Sequence, residues 1–423
     1  MTKLPDSQQG ALPKAYWRLL TGYIASAFGD GMYLIAVNWW VVTSTSSAAA
    51  MGIVSASGAV TFVVLAPLAG RLIDRFGAVR LLIAADVWRA VILGLFVLLG
   101  LGGLDGEGIA FFVPLMVLMA VGTSVGQPGV FALIPAIVPP DDVRRANSII
   151  VTGRSFATIL GPAVGGALVG FAGVTPSIIT NIGTFAVSAA VLWSLRYEVP
   201  LSVRTGTRAD GSRRSARRLI FASRATTSAF AVALLGNLTL SMYTVTLPLK
   251  FAAPVDSNDS ASVTYGLVQA AFQAGMVVVG IMLARQWANR IPTSSWSVGL
   301  GLICMGAAMV GVGYLHAVPA LLILAALIGG SLMFVSVMSD PQLQLKVPEA
   351  QRGGVQGLVQ GLGSGLRPLG ILLATSVFGI AGAGPALLTG AIIAAAVAVV
   401  ILVVDGYRDA INPVPHKEEE PDA

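Results

Sequence analysis

The sequence predicts an all-α membrane protein with twelve transmembrane helices in two pseudo-symmetric six-helix bundles. Hydrophobic residues make up 55% of the 423 residues and charged residues only 11%, and the mean hydropathy is +0.81. Soluble domains carry about 25% charged residues, so this composition excludes a soluble protein. The net charge of +6 does not indicate a nucleic-acid partner, because the cations cluster between apolar runs. The lipid bilayer is the expected environment.

Twelve apolar runs have the length of membrane spans, since a helix needs about 20 apolar residues to cross a bilayer. The runs cover residues 16–43, 52–70, 81–101, 109–133, 146–171, 174–195, 226–250, 263–284, 296–315, 317–338, 354–379 and 383–404. With both termini in the cytoplasm, the outer loops hold a single cation, Lys250, at a helix end. The positive-inside rule therefore predicts a multi-pass protein of the cell membrane with both termini cytoplasmic.

Two halves and two polar segments are predicted from the same pattern. We expect an N-terminal bundle over 1–195, a basic cytoplasmic linker over 196–225, a C-terminal bundle over 226–405 and a disordered cytoplasmic tail over 406–423. A weak internal repeat supports the two halves, because Gly70, Arg75 and Arg80 recur 210 residues later as Gly280, Arg285 and Arg290. Parallel repeats of this kind place a substrate site between the halves near the middle of the bilayer.

A short charged segment bounded by glycines separates the second and third spans. Its marked residues are Gly70, Asp74, Arg75, Gly77 and Arg80. Glycine lets the backbone turn at once, and arginine suits phosphate headgroups. The segment therefore predicts a tight cytoplasmic loop.

This segment resembles the signature between the second and third helices of the major facilitator superfamily, although Ala78 stands where that family usually has a basic residue. The resemblance implies a twelve-helix transporter that works by alternating access. It also implies that the five marked residues form a conformational latch, in which Asp74 faces the N-terminus of the eleventh helix near Gly353-Gly354. A generic basic loop between two helices is the alternative interpretation.

The fifth span contains Gly161-Pro162-Ala-Val-Gly165-Gly166. Proline removes one helical hydrogen bond, and small residues let a neighbouring helix approach closely. The run resembles the Gly-Pro signature of exporters in the same superfamily, and this resemblance implies outward transport. Ordinary packing of small residues is the alternative.

Two ionisable residues lie deep in the first half of the chain. Asp30 is roughly 18 Å from the inner surface on the first span, and Arg154 is roughly 13 Å deep on the fifth. A lone carboxylate at that depth must be protonated, paired or in contact with water. We hypothesise that Asp30 binds the driving proton and that Arg154 biases its pKa; a structural ion pair that never titrates is the alternative. Asp86 and Arg89, three apart, are expected to neutralise each other near the cytoplasmic end of the third span.

Sparse polar residues on other spans are candidates for a substrate cavity. They are Asn38, Gln127, Asn237, Tyr243, Gln269, Gln273, Gln356, Gln360 and Arg367. Few hydrogen-bonding groups among many apolar ones suit a lipophilic or amphipathic substrate. Hydrogen bonds between helices explain many of the same residues equally well.

No sequence motif for a nucleotide, metal or other cofactor is found, so an ion gradient must supply the energy. An enzyme would need a cluster of reactive side chains that the sequence does not contain. The closest resemblance is to drug:proton antiporters of the macrolide-efflux type, and it implies a small-molecule substrate, protons and a monomer. An exporter of an endogenous metabolite, such as a siderophore or a lipid-like product, remains open, and so does a non-transporting scaffold or receptor.

Overall fold

A computed structural model describes residues 12–101, 109–196, 224–252, 260–284, 295–345 and 365–403. Twelve α-helices lie in these ranges. They are α1 (Lys14–Thr45), α2 (Ala48–Phe76), α3 (Ala78–Leu101), α4 (Ile109–Ile137), α5 (Val143–Ala172), α6 (Val174–Leu195), α7 (Arg224–Ala252), α8 (Ser260–Ala284), α9 (Ser295–Tyr314), α10 (Val318–Leu345), α11 (Arg367–Ala381) and α12 (Ala383–Val403).

Eleven of the described helices are long and apolar enough to cross a membrane, and α11 is a shorter apolar helix. The all-α membrane fold is therefore confirmed. The predicted run 354–379 lies partly outside the described residues, which resume at 365. The other helices match the predicted runs to within a few residues at most ends, because an apolar run of this length satisfies its own backbone hydrogen bonds in a bilayer only as a helix.

The chain divides into two compact units. The first unit is Met1–Thr45 with Val60–Gly206, and the second is Ser46–Ala59 with Thr207–Ala423. The predicted linker 196–225 and tail 406–423 fall almost entirely outside the described residues, so the predicted domain boundaries stay predictions.

In the first unit, α1 packs against α4, α5 and α6, and α3 packs against α4 and α6. One end of this unit is closed by an apolar core around Tyr16, Leu19 and Ile134. The Tyr16 hydroxyl donates to the Ala146 carbonyl at 2.7 Å. This bond ties the first turn of α1 to the first turn of α5 and fixes the register of two neighbouring helices.

The second unit repeats this arrangement six helices later. Its first helix, α7, packs against α10, α11 and α12, and α9 packs against α10 and α12. The connection between the last two helices is also repeated. Gly173 ends α5 with its N–H bonded to the Val169 carbonyl at 3.0 Å, and Gly382 ends α11 with its N–H bonded to the Phe378 carbonyl at 2.8 Å. The two units therefore share one plan of helix packing.

Candidate functional site: a buried ion cluster in the first unit

Arg89 on α3 is the centre of a charged cluster in the first unit. Its Nη1 lies 3.2 Å from Oδ1 and 3.0 Å from Oδ2 of Asp30 on α1. Its Nη2 donates to the Ser26 hydroxyl at 3.1 Å and to the Asp86 carboxylate. One guanidinium thus joins two carboxylates from two helices.

Helix periodicity explains why these four side chains meet. Ser26 and Asp30 are four residues apart on α1, and Asp86 and Arg89 are three apart on α3, so each pair shares a helix face. The two faces point at each other in the folded unit. Ion pairs in which arginine is held on both nitrogens are among the stronger hydrogen bonds in proteins.

Two further helices, α4 and α6, also contact the Arg89 side chain. A Cβ at Gly122 on α4 would lie 2.6 Å from Cγ of Arg89, so the absence of a side chain there makes room for the arginine stem. The guanidinium carbon lies 4.1 Å from the centre of the Phe185 ring on α6, which is a cation–π distance. Arg89 is therefore fixed from four helices.

The two carboxylates differ sharply in exposure. The Asp30 side chain is 34% exposed, whereas that of Asp86 is 4% exposed and that of Arg89 is 5% exposed. An ion pair in a bilayer interior is costly unless each charge is compensated. Asp30 is therefore the group of this cluster with part of its surface uncovered by protein, and Asp86 is its buried counterpart.

The ion-pair partner of Asp30 is Arg89, and the hypothesis that Arg154 biases the pKa of Asp30 stays a prediction. The guanidinium carbon of Arg154 lies 5.9 Å from the centre of the Tyr23 ring. Asp86 and Arg89 do pair, as expected. They are not a separate pair, because Arg89 also binds Asp30. Which face of α3 meets α1 decides that Arg89 is the partner of Asp30. A count of residues along each helix gives depth but not the facing side.

The glycine-proline run of α5 lies directly behind Asp30. A Cβ at Gly31 would lie 2.6 Å from Cδ of Pro162, and one at Gly161 would lie 2.4 Å from the Phe28 carbonyl oxygen. A Cβ at Gly165 would lie 2.6 Å from Cα of Met32. The backbones of α1 and α5 therefore touch over the turn that carries Asp30. Gly166 is buried on the same helix.

The segment 70–80 is more helical than a loop. Gly70, Asp74 and Arg75 belong to α2, which ends at Phe76, and Arg80 belongs to α3. Only Gly77 makes the turn, with φ +83° and its N–H bonded to the Ile73 carbonyl at 2.9 Å. A glycine in this conformation commonly ends a helix. The expected partner of Asp74, Gly353-Gly354, lies outside the described residues.

The predicted cavity residues fall in both units, and some of them lie outside the described residues. Asn38 is buried on α1, and Tyr243 and Gln269 are buried on α7 and α8. Asn237 and Gln273 are partly buried, and Arg367 is exposed at the first residue of α11. Gln356 and Gln360 lie outside the described residues, and Gln127 is on α4 but its side chain is not described.

Sequence reasoning missed that Arg89 pairs with Asp30 as well as with Asp86, although a signal was available. Arg89 follows Arg80 by nine residues, which is the same spacing that separates Arg154 from Arg145. The same count of about 1.5 Å per residue puts both arginines at one depth. The sequence thus offered two candidates for the partner of Asp30.

The comparison with protein families decides the class of this chain. Residues 19–370 match the model of the Major Facilitator Superfamily. The protein belongs to this superfamily. It is therefore a multi-pass membrane transporter and not an enzyme, and the resemblance to the superfamily is confirmed.

Relatives within the Major Facilitator Superfamily include named efflux proteins. The chain is 24% identical to the multidrug efflux pump Tap of Mycolicibacterium fortuitum over 371 residues, which cover 86% of this chain and 89% of the pump. It is 22% identical to macrolide efflux protein A of Streptococcus pyogenes, over 85% of this chain and 88% of that protein.

Solved transporters share the fold of this superfamily member. The nucleoside transporter NupG aligns with a TM-score of 0.72 at 13% identity and covers 93% of this chain and 99% of its own. A bacterial homologue of the human lysosomal transporter Spinster aligns with a TM-score of 0.70 at 15% identity, over 96% of this chain and all of its own. At these identities the likeness confirms the major facilitator fold alone.

Proposed function

We propose that the protein is a secondary active exporter of lipophilic or amphipathic small molecules, driven by proton antiport. The efflux relatives span nearly the whole chain, which supports transport outward and a drug-like substrate. Asp30 is proposed as the proton site. The observation that carries the proposal is the sharing of Arg89 between the partly exposed carboxylate of Asp30 and the sealed carboxylate of Asp86.

The shared arginine makes a change of protonation possible inside the membrane. When Asp30 is ionised, Arg89 bridges α1 and α3. When Asp30 takes a proton, its attraction to Arg89 weakens, and Asp86 still compensates the arginine. Arg89 is therefore paired in both protonation states of Asp30. Asp30 can then titrate inside the membrane without leaving a buried cation uncompensated.

Close packing of α1 on α5 would pass this change to the rest of the unit. The backbones meet at Gly31, Gly161 and Gly165, so a displacement of α1 at Asp30 must displace α5 as well. A two-state transporter couples proton and substrate when both ligands bind its two states unequally. Arg154, on α5 and above Tyr23, is proposed to contribute positive charge at longer range, and the 70–80 segment is proposed as the latch.

The setting of this function follows the positive-inside pattern. We propose a monomer in the cell membrane with both termini in the cytoplasm, exchanging external protons for a substrate from the cytoplasm or the inner leaflet. Export of an endogenous metabolite uses the same machinery and differs only in the substrate.

Uptake into inverted vesicles with an imposed proton gradient tests the proposal. The panel contains lipophilic cations, macrolides and siderophores, the last of which addresses the metabolite alternative. Asp30→Asn should lower gradient-driven uptake at least tenfold, because one proton site is lost, and should leave substrate exchange without a gradient. Asp142→Asn is the matched control, since Asp142 makes no capping hydrogen bond in the turn before α5. Full gradient-driven uptake by Asp30→Asn would contradict proton coupling at this residue.

A further inference from the structure

The second unit contains three buried polar groups that lack the partners their neighbours have. Hydroxyl groups on its helices usually bond to a carbonyl of their own helix, as Ser241 does to Leu238 at 2.7 Å and Thr375 does to Ile371 at 3.0 Å. By contrast, the Tyr243 hydroxyl, Thr246 Oγ1 and Gln269 Oε1 are buried with no hydrogen-bond partner among the described residues. Tyr243 and Thr246 are fully buried, and Gln269 is 6% exposed.

The register of α7 against α8 places these three groups within about one helical turn of each other. The rings of Tyr243 on α7 and Phe272 on α8 are 5.3 Å apart, and those of Phe251 and Tyr265 are 6.4 Å apart. The numbering rises along α7 while it falls along α8, so the two helices are antiparallel here.

This register brings Thr246 and Gln269 to the same height. Thr246 follows Tyr243 by three residues on α7, and Gln269 precedes Phe272 by three residues on α8. Residues three apart share a helix face. Thr246 and Gln269 therefore follow the Tyr243–Phe272 contact on the facing sides of the two helices, with the Phe251–Tyr265 contact beyond them.

Leaving such groups unpaired is expensive. A buried donor or acceptor without a partner costs about 1–3 kcal/mol, and natural proteins pair the large majority of theirs with protein or ordered water. Three in one place therefore call for a partner of matching chemistry. The neighbouring rings of Phe272, Phe251 and Tyr265 are uncharged, so they offer no counter-charge to an ion that has lost its hydration.

We propose that Tyr243, Thr246 and Gln269 form a subsite for an uncharged hydroxyl or carbonyl group of the transported molecule. The inference rests on the proposed function and narrows its substrate to amphipathic molecules that carry a neutral polar group. The aromatic rings of Tyr243, Phe272 and Tyr265 supply apolar contacts beside it.

Two probes separate this subsite from general lipophilic binding. A macrolide carries hydroxyl and carbonyl groups, and tetraphenylphosphonium has no hydrogen-bonding group. In purified full-length protein, Tyr243→Phe keeps the ring and removes the hydroxyl, so the macrolide Kd should rise about three- to tenfold while the Kd for tetraphenylphosphonium stays within twofold. The unfolding temperature without substrate should stay or rise, because an unpaired hydroxyl has been removed.

Threonine offers the matched control. Thr246→Val should reproduce the selective loss for the macrolide, whereas Thr375→Val, which removes a hydroxyl already bonded to its own helix, should leave both Kd values unchanged. Equal changes for both probes, or none, would overturn the subsite. A lower unfolding temperature in Tyr243→Phe with unchanged Kd values would assign the groups to structural water alone and would also overturn it. Wild-type protein that neither binds nor transports any member of the panel would contradict the proposed function together with this inference.

Discussion

The interiors of the two units differ in charge although their helices pack alike. In the first unit, Arg89 holds the carboxylates of Asp30 and Asp86 at the centre of the bundle. In the second unit, the corresponding interior presents uncharged groups, of which Tyr243 and Gln269 lack partners among the described residues. Under the two proposals made above, the duplicated scaffold would carry two separate chemistries, one for holding a proton and one for recognising a neutral polar group.

The shared part of the plan is visible where helix backbones touch. A Cβ at Gly161 on α5 would lie 2.4 Å from the Phe28 carbonyl oxygen on α1. A Cβ at Gly370 on α11 would lie 2.5 Å from the Leu238 carbonyl oxygen on α7. The same helix pair thus makes the same kind of contact in each unit, and the chemical difference lies in the side chains that each pair presents.

The largest expected effect comes from removing the charge at the centre of the first unit. Arg89→Leu leaves two carboxylates without their cation and should lower the free energy of unfolding by about 3–5 kcal/mol. Thermal unfolding in detergent measures this loss. The exposed Arg145→Leu is the control and should change little. Adding Asp86→Asn to Arg89→Leu should recover part of the loss; no recovery would contradict the shared pairing.

A smaller and equal effect is expected at the two backbone contacts. Gly161→Ala and Gly370→Ala force neighbouring helices apart and should each cost about 1–3 kcal/mol of stability. Gly183→Ala and Gly379→Ala are the matched controls, because a Cβ at either position meets nothing within 4 Å. Unfolding of all four variants checks the prediction. If only one unit were sensitive, the two units would not share their packing plan.

The smallest expected effect concerns a cation in the second unit. Lys250 Nζ donates to the Val312 carbonyl, and to that of Leu315 at 2.6 Å, at the end of α9. These carbonyls have no partner within the last turn of a helix, so Lys250→Met should lower stability by about 1 kcal/mol. Gradient-driven transport per folded molecule should not change. A loss of proton coupling in this variant would mean that charge in the second unit also takes part.

Much of the fold could be predicted from the sequence because the length and apolarity of a run of residues identify a membrane helix. The turn at Gly77 and the close helix packing at Gly161-Pro162 could also be predicted. Glycine favours turns and close helix contacts, and proline interrupts a helix. The position of Asp30 in the interior followed from counting residues along α1. These features depend on one helix at a time.

The partners of the site residues depend on how helices rotate against one another, and one sequence does not contain that information. A residue count assigns Arg89 and Arg154 the same depth, and only the packing of the helices selects Arg89 as the partner of Asp30. Thr246 gave no signal, because a threonine in a membrane helix usually bonds to its own backbone. The helical nature of 70–76 was missed because charged residues were equated with a loop.

Proton release on substrate binding tests most directly the claim that coupling resides in the first unit. Purified protein in weakly buffered solution is mixed with saturating macrolide, and the pH change is recorded. Wild-type protein and Tyr243→Phe should both release protons, whereas Asp30→Asn should release none. Proton release by Asp30→Asn equal to that of wild-type protein would contradict the account.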